Sequence, residues 1–175
     1  MGEGGIVSPG RTNLIILDED FRRIGACLSR LNQEARSKAV FLIDKNGQLI
    51  SSHGETAGLD LTSLASLTAG NIAATGGLAQ LLGEKEFSIL FHEGERDNLH
   101  ISIVAQRVIL VVIFDSRSSL GLVRLRVKKA SEDLVRIFAD VMKKLDQEAG
   151  KARAIFTTQF AEITDEDIDN LFTKS

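Results

Sequence analysis

Side chains able to do chemistry are present in this chain, but their spacing works against every familiar arrangement. The three histidines, His53, His92 and His100, stand far apart, with neither HExxH spacing nor the ligand intervals of a zinc site. An isolated strand histidine of this kind is ordinarily a surface residue or one whose hydrogen bonds are satisfied. "RSSLG", Arg117 to Gly121, approaches the GxSxG turn that lifts a nucleophilic serine from a strand into a helix, yet it lacks the first glycine. Ser118 or Ser119 serves there equally as a helix cap. "GNIAATGG", Gly70 to Gly77, is glycine-rich but has no lysine to reach a phosphate. Glu93, Glu95 and Asp97 fall in a polar turn that solvates them. Cys27 is the only cysteine, so one chain can build neither a disulfide nor a thiolate metal site, and the thiol reads as a small apolar group. No catalytic group, metal or cofactor is therefore expected of the chain itself.

With 175 residues and a net charge of −3, the chain suits one core with tails, and no run of like charges marks a nucleic-acid arm. No apolar stretch approaches a membrane span, the start lacks a signal-peptide layout, and Ile6 replaces the Ser or Thr favoured in a myristoylation motif. A cytoplasmic protein is expected. Residues 1–13 read as a flexible leader, 14–149 as the folded domain, 150–162 as a linker and 163–175 as a C-terminal interaction segment.

A first helix capped at Asp18 carries Phe21, Ile24, Cys27, Leu28, Leu31 and Ala35 on one stripe. "KAVFLIDKNGQLISS" reads as a hairpin turning at Lys45 to Gln48, with Asn46-Gly47 supplying positive φ angles. A second helix, capped by Asp60 or Thr62, runs to a stop at Gly83. Three strand-like runs follow, about Phe87 to Gly94, Asn98 to Ala105 and Arg107 to Asp115, as a meander. A last helix from Ser118 or Ser119 buries Leu120, Val123, Val127, Ala130, Leu134, Ile137, Phe138, Val141 and Leu145, and Gly150 is expected to end it. The order α-β-β-α-β-β-β-α predicts an α+β fold with a five-stranded antiparallel sheet and helices on its faces.

The second helix is unusual in composition. At about 100° per residue, Leu61, Leu64, Leu67, Asn71, Ala74, Thr75, Leu78 and Leu82 gather on one side, assigned to the sheet. The other side collects Ser63, Ser66, Ala69, Gly70, Ala73, Gly76 and Gly77. Each helical glycine costs roughly 0.5–1 kcal/mol relative to alanine, so three within a short stretch call for an offset. A side-chain-poor face lets another backbone approach closely; crowding inside the domain is the alternative explanation. In the tail, Thr164 and Asp167 form a weak capping box ahead of Ile168, Leu171 and Phe172. Ile163, Ile168, Leu171 and Phe172 either find a partner's groove or fold back on the domain.

"VFLIDKNGQLISS", "DLTSLASLTAGNIAATGGLAQLLGE", "FHEGERDNLHISIV", "VILVVIFDSRSSLGLVRLRVKKA" and "FAEITDEDIDNLF" together resemble the bacterial Roadblock-domain GTPase activators, whose fold is profilin-like, over Phe21 to Phe172. The glycine-rich leader and the spacer "GKARAIFTTQ" depart from that pattern. The resemblance implies a homodimer in which the third strands pair across a two-fold axis and the second helices lie side by side. On that platform an MglA-like small Ras-like GTPase would dock against Ser66, Ala69, Gly70, Ala73 and Gly77, two protomers to one GTPase. GTP and Mg would belong to the partner. Arg117, Arg124 and Arg126 begin the last helix, expected on the far face of the sheet, so the resemblance implies activation without an arginine finger, by holding the GTPase in its competent conformation. It also implies a GTPase contact through the C-terminal segment, and a role in cell polarity or motility with concentration at a cell pole. Arg22, Arg23, Arg126, Lys129 and Arg136, with Lys143, form either a basic patch for a second regulator or a merely solvated face. Two rivals stay open: a non-catalytic scaffold that tethers a GTPase complex, and a small-molecule sensor on the same layout.

Overall fold

The computed structural model of the chain describes residues 18–161, with side-chain positions through residue 154. The elements are α1 (Asp18–Glu34), β1 (Ala39–Asp44), β2 (Leu49–Gly54), α2 (Leu61–Leu81), β3 (Ile89–His92), β4 (Asn98–Val104), β5 (Val108–Phe114) and α3 (Leu120–Ala161). The five strands form one antiparallel sheet ordered β2-β1-β5-β4-β3. The expected element order and sheet are found. The leader and the C-terminal segment 163–175 lie outside the described residues.

Central β5 is buried along its whole length because the sheet is covered on both faces. Its alternate residues serve two layers. Val108, Leu110, Val112 and Phe114 pack with Ile24, Leu28, Leu31, Val123, Leu134 and Phe138 beneath α1 and α3. Ile109, Val111 and Ile113 join Phe41, Ile43, Ile101 and Ala65 beneath α2. The period-two alternation of a strand thus distributes its side chains between a two-helix layer and a single helix.

Local chemistry explains the boundaries. Asp60 caps α2, its Oδ1 accepting the Ser63 N–H at 3.0 Å, and Ser119 caps α3 by accepting the Leu122 N–H at 3.2 Å. Gly83 follows α2 at φ +74°. In the β1–β2 turn only Gly47 takes a positive φ, at 84°; Asn46 does not. The expected mirror-image turn is replaced by a turn in which Asp44 Oδ1 accepts the N–H groups of Asn46 and Gln48, with Ile50 bulged out of the pairing. A Cβ on Gly47 would also stand 3.0 Å from the Cα of Ser66, so this hairpin tip presses directly on α2. Gly54 is equally committed: at φ +96°, an added Cβ would lie 2.5 Å from the Lys38 carbonyl.

Two further expectations change. Phe21 is 42% exposed, and the buried place on that side of α1 belongs to Asp20, fully enclosed and bonded by Lys144 and Arg23. An apolar-stripe argument has no means of recognising a buried carboxylate when one of its partners, Lys144, arrives from a helix more than a hundred residues away. Gly150 does not end α3, which continues to Ala161 through the expected linker. Glu148, Ala149, Lys151 and Ala152 are strong helix formers, and one glycine without a left-handed conformation or a proline is too small a penalty to stop them.

The β4–β5 turn places Ala105 and Gln106 at φ 52° and 57°, left-handed positions held by residues with a Cβ. Gln106 is exposed. Gln106→Gly is expected to raise unfolding stability by about 0.5–1 kcal/mol in a denaturant titration; a loss would show that the side chain contributes more than its backbone costs.

Candidate protein docking face

α2 is held to the sheet by a narrow strip: Ala65, Thr68 and Ala79 are buried, with Leu61, Leu64, Ala69 and Ile72 packed around them. The sheet-facing direction is rotated by about a quarter turn from the one the leucines suggested, taking 100° per residue. Leu67, Ala74, Leu78 and Leu82 face outward, and Leu67 is 72%, Leu78 58% and Leu82 71% exposed. The reason is that α2 is apolar nearly all round, so periodicity alone does not select a face.

Of the five residues assigned to partner contact, Ser66, Gly70, Ala73 and Gly77 are exposed along one ridge. Ala69 is half-buried and packs inward, where its Cβ would stand 3.4 Å from one placed on Gly47. Nothing lies within 4 Å of a Cβ built on Gly70, Gly76 or Gly77. None of the three has a positive φ. Crowding within the chain therefore does not require these glycines, and their cost to the helix has no offset among the described residues. The outward face is a bare strip flanked by exposed Leu67, Leu78 and Leu81, an apolar surface of the sort that marks an interaction site.

This face is continuous with a sheet edge. β3 pairs only with β4 among the described strands, leaving its other side open with Ile89 half exposed. Asn71 Nδ2 and His92 Nε2 are 3.2 Å apart, and Thr75 Oγ1 donates to the Asn71 carbonyl at 2.8 Å, so α2 and β3 are joined into one surface.

The candidate arginines are elsewhere. Arg117 bonds Asp115 and Glu55, the latter at 2.7 Å; its guanidinium and N–H groups hold the Asp115 carboxyl down to about 2. Arg124 and Arg126 lie on α3, across the sheet from α2, and Arg126 pairs with Glu34 at 3.2 Å. The residues of the proposed basic patch are spread along α1 and α3 and laced with carboxylates: Arg126 pairs with Glu34 at one end of the α1–α3 contact, Arg23 bonds Asp20 and Asp140 toward the other, and Arg136 approaches Asp133. Ile163, Ile168, Leu171 and Phe172 lie outside the described residues. No helix among those residues is long and apolar enough to cross a membrane.

One residue was misjudged by its sequence setting. His100 is 1% exposed, and neither ring nitrogen has a hydrogen-bond partner. It lies at a cleft of about 660 Å³ between α3 and the β3–β4 edge, near Arg124 and beside Ser102, whose Oγ is likewise unpartnered. Only its alternation with Val104 on β4 marks it as facing the two-helix layer.

A three-layer α/β/α sandwich with this strand order and a bare second helix defines a Roadblock-type domain. A family model for the Roadblock/LC7 domain matches residues 24–114, and the chain belongs to that family. Among solved structures it is 60% identical to Myxococcus xanthus MglB, covering 73% of this chain and 96% of that one, with a TM-score of 0.69. The gliding protein MglB from Thermus thermophilus is 34% identical, covering 73% and 97%, with a TM-score of 0.68. A structure described as MglB with tetrameric arrangement is 32% identical, covering 75% and 99%, with a TM-score of 0.70. A search of curated proteins finds no match.

Burial and the neighbouring Arg124 push the His100 imidazole below its ordinary 6.5. The unfolded chain then takes up the proton first, so this contribution to stability is complete above that value and declines as pH falls through it, by at most about 1.4 kcal/mol per pH unit. His100→Phe is expected to flatten this decline in pH-dependent denaturant titrations; an unchanged slope would assign it to other groups.

Proposed function

We propose that this chain is a homodimeric GTPase-activating protein for an MglA-like small Ras-like GTPase, acting in cell polarity or motility. The observation that carries the reading is the outward face of α2, where Ser66, Gly70, Ala73 and Gly77 are exposed and a Cβ built on either glycine would meet nothing within 4 Å among the described residues. The likeness to MglB supports it over most of the chain. Pairing of β3 with its copy would remove an open, partly apolar sheet edge and set two α2 faces side by side. Two bare helices then offer a broad platform on which a globular partner's backbone can lie closely.

Activation would work without a group donated to the reaction. Arg117 is held between two carboxylates, and Arg124 and Arg126 belong to the layer on the other side of the sheet. The dimer would act by binding the hydrolysis-competent conformation of the GTPase more tightly than the others, which is the sole energetic means by which a bound partner shifts such an equilibrium. The C-terminal Ile163, Ile168, Leu171 and Phe172 would add a second contact.

Ala73→Arg combined with Gly77→Arg places two long charged side chains on the ridge while leaving the sheet-facing strip intact. The expected result is a folded dimer by light scattering that no longer binds the GTP-loaded GTPase in calorimetry; undiminished binding would put the interface elsewhere. Alanine at Arg117, Arg124 or Arg126 is expected to retain most of the activation. A fall of about a thousandfold or more for one of them would reveal a finger.

A further inference from the structure

On the α1–α3 side of the sheet, β5 presents Val108, Leu110, Val112 and Phe114, all packed into one apolar core. The neighbouring strand departs from that pattern. Opposite Val112 and Leu110, β4 places His100 and Ser102. Both residues are more than nine-tenths buried, and neither imidazole nitrogen nor the Ser102 hydroxyl finds a hydrogen-bond partner among the described residues. A buried polar atom in this state gives up its hydration without return, so the pair calls for a physical reason.

The cleft of about 660 Å³ lies over these two residues. α3 contributes Arg124, Val127, Lys128, Ser131, Glu132 and Val135, which recur with the helical period as one stripe. Ser88 and Ile89, at the β3 edge, stand across from it. Ser88 and Ser131 are too small to close the space, while Val127, Val135 and Ile89 give it apolar sides. From Arg124 to Val135 the helix runs about 16 Å, the length of a medium-chain alkyl group. Charge selects the head of the occupant. Arg124, Lys128 and Arg136 line the cleft against Glu132 alone. Arg136 approaches Asp133, but neither Arg124 nor Lys128 forms an ion pair among the described residues. Burial, and then the Arg124 charge, keep the His100 imidazole below its ordinary range, so in its neutral form one ring nitrogen donates and the other accepts.

We propose that this cleft binds an alkyl monocarboxylate, its carboxylate set between Arg124 and the Ser102–His100 floor and its chain laid along Val127, Ile89 and Val135. The oxyanion pairs with the guanidinium and accepts from the Ser102 hydroxyl and the imidazole N–H, so three groups that lack a partner acquire one. Those floor atoms are covered, and the head group reaches them as the side chains above move aside. The chain removes apolar wall from water. This site is across the sheet from α2, and it does not depend on the GTPase reading.

Calorimetric titration of the full chain with dodecanoate, kept below its micelle-forming concentration, tests the site. Saturable binding is expected, with acetate and dodecyltrimethylammonium weaker by about tenfold or more, since one lacks the apolar body and the other reverses the head charge. At saturation the His100 ring resonances are expected to shift in histidine-selective NMR, while those of His53 and His92, which do not line the cleft, stay in place. Arg124→Ala is expected to weaken binding about tenfold and Ser102→Ala about threefold. Val135→Glu, at an exposed position on the cleft wall, is expected to abolish it. Absence of saturable binding, equal affinity for the cationic amphiphile, or a His100 signal that does not move would overturn the proposal. So would binding unchanged by both Arg124→Ala and Val135→Glu, two surface substitutions that keep the test decisive where Ser102→Ala fails to fold. Tighter binding of dodecyl phosphate than of dodecanoate would overturn the assignment of a carboxylate head.

Discussion

The narrow contact between α2 and the sheet is the constraint on which the outer surface depends. Ala65, Thr68 and Ala79, with Leu61, Leu64 and Ile72, are what the helix gives to the core, and the Gly47 hairpin tip touches its backbone near Ser66. Small inward residues bring the helix close to Phe41, Ile101 and Val111 and fix its rotation. That rotation turns Leu67, Leu78 and the glycine ridge outward together. A larger residue at Ala65 would lift or roll the helix, and the outer face would change with it.

Stability is consequently uneven between the two layers. α1 and α3 enclose most of the core and are cross-linked by ion pairs from Arg126–Glu34 to Lys144–Asp20. The α2 layer has fewer buried side chains and three glycines that no crowding among the described residues requires. A domain built this way keeps its firm half on one side of the sheet and leaves the other free for the proposed partner, whose binding would recover part of the cost of the glycines. The α1–α3 register in turn directs the long helix away from the domain.

Caps, turns and strand alternation made most of the fold legible in the sequence. Asp60, Ser119 and Gly83 mark boundaries where their side chains or backbone act locally, and the strands carry β-branched runs that admit few other readings. Failures occurred where a distant group decides. Asp20 is buried because Lys144 and Arg23 reach it, which the stripe of Phe21 and Ile24 does not reveal. The orientation of α2 was illegible because leucines lie both inside and outside; the exposed set Ser66, Gly70, Ala73 and Gly77 was nevertheless found, since bareness is a property of composition. Gly150 was given more weight than a single glycine among alanines and charged helix formers carries. His100 has an ordinary strand setting, and its unsatisfied nitrogens become visible only when α3 is laid over β4.

The central claim is that a protein without a catalytic group of its own accelerates a partner's chemistry through the bare face of α2. Phosphate release from the GTP-loaded MglA-like GTPase, measured while this protein is titrated from none to molar excess, tests it most directly. If the bare face activates, the rate rises and saturates near two protomers per GTPase. A flat rate under conditions where binding is demonstrable would contradict it and leave a tethering scaffold.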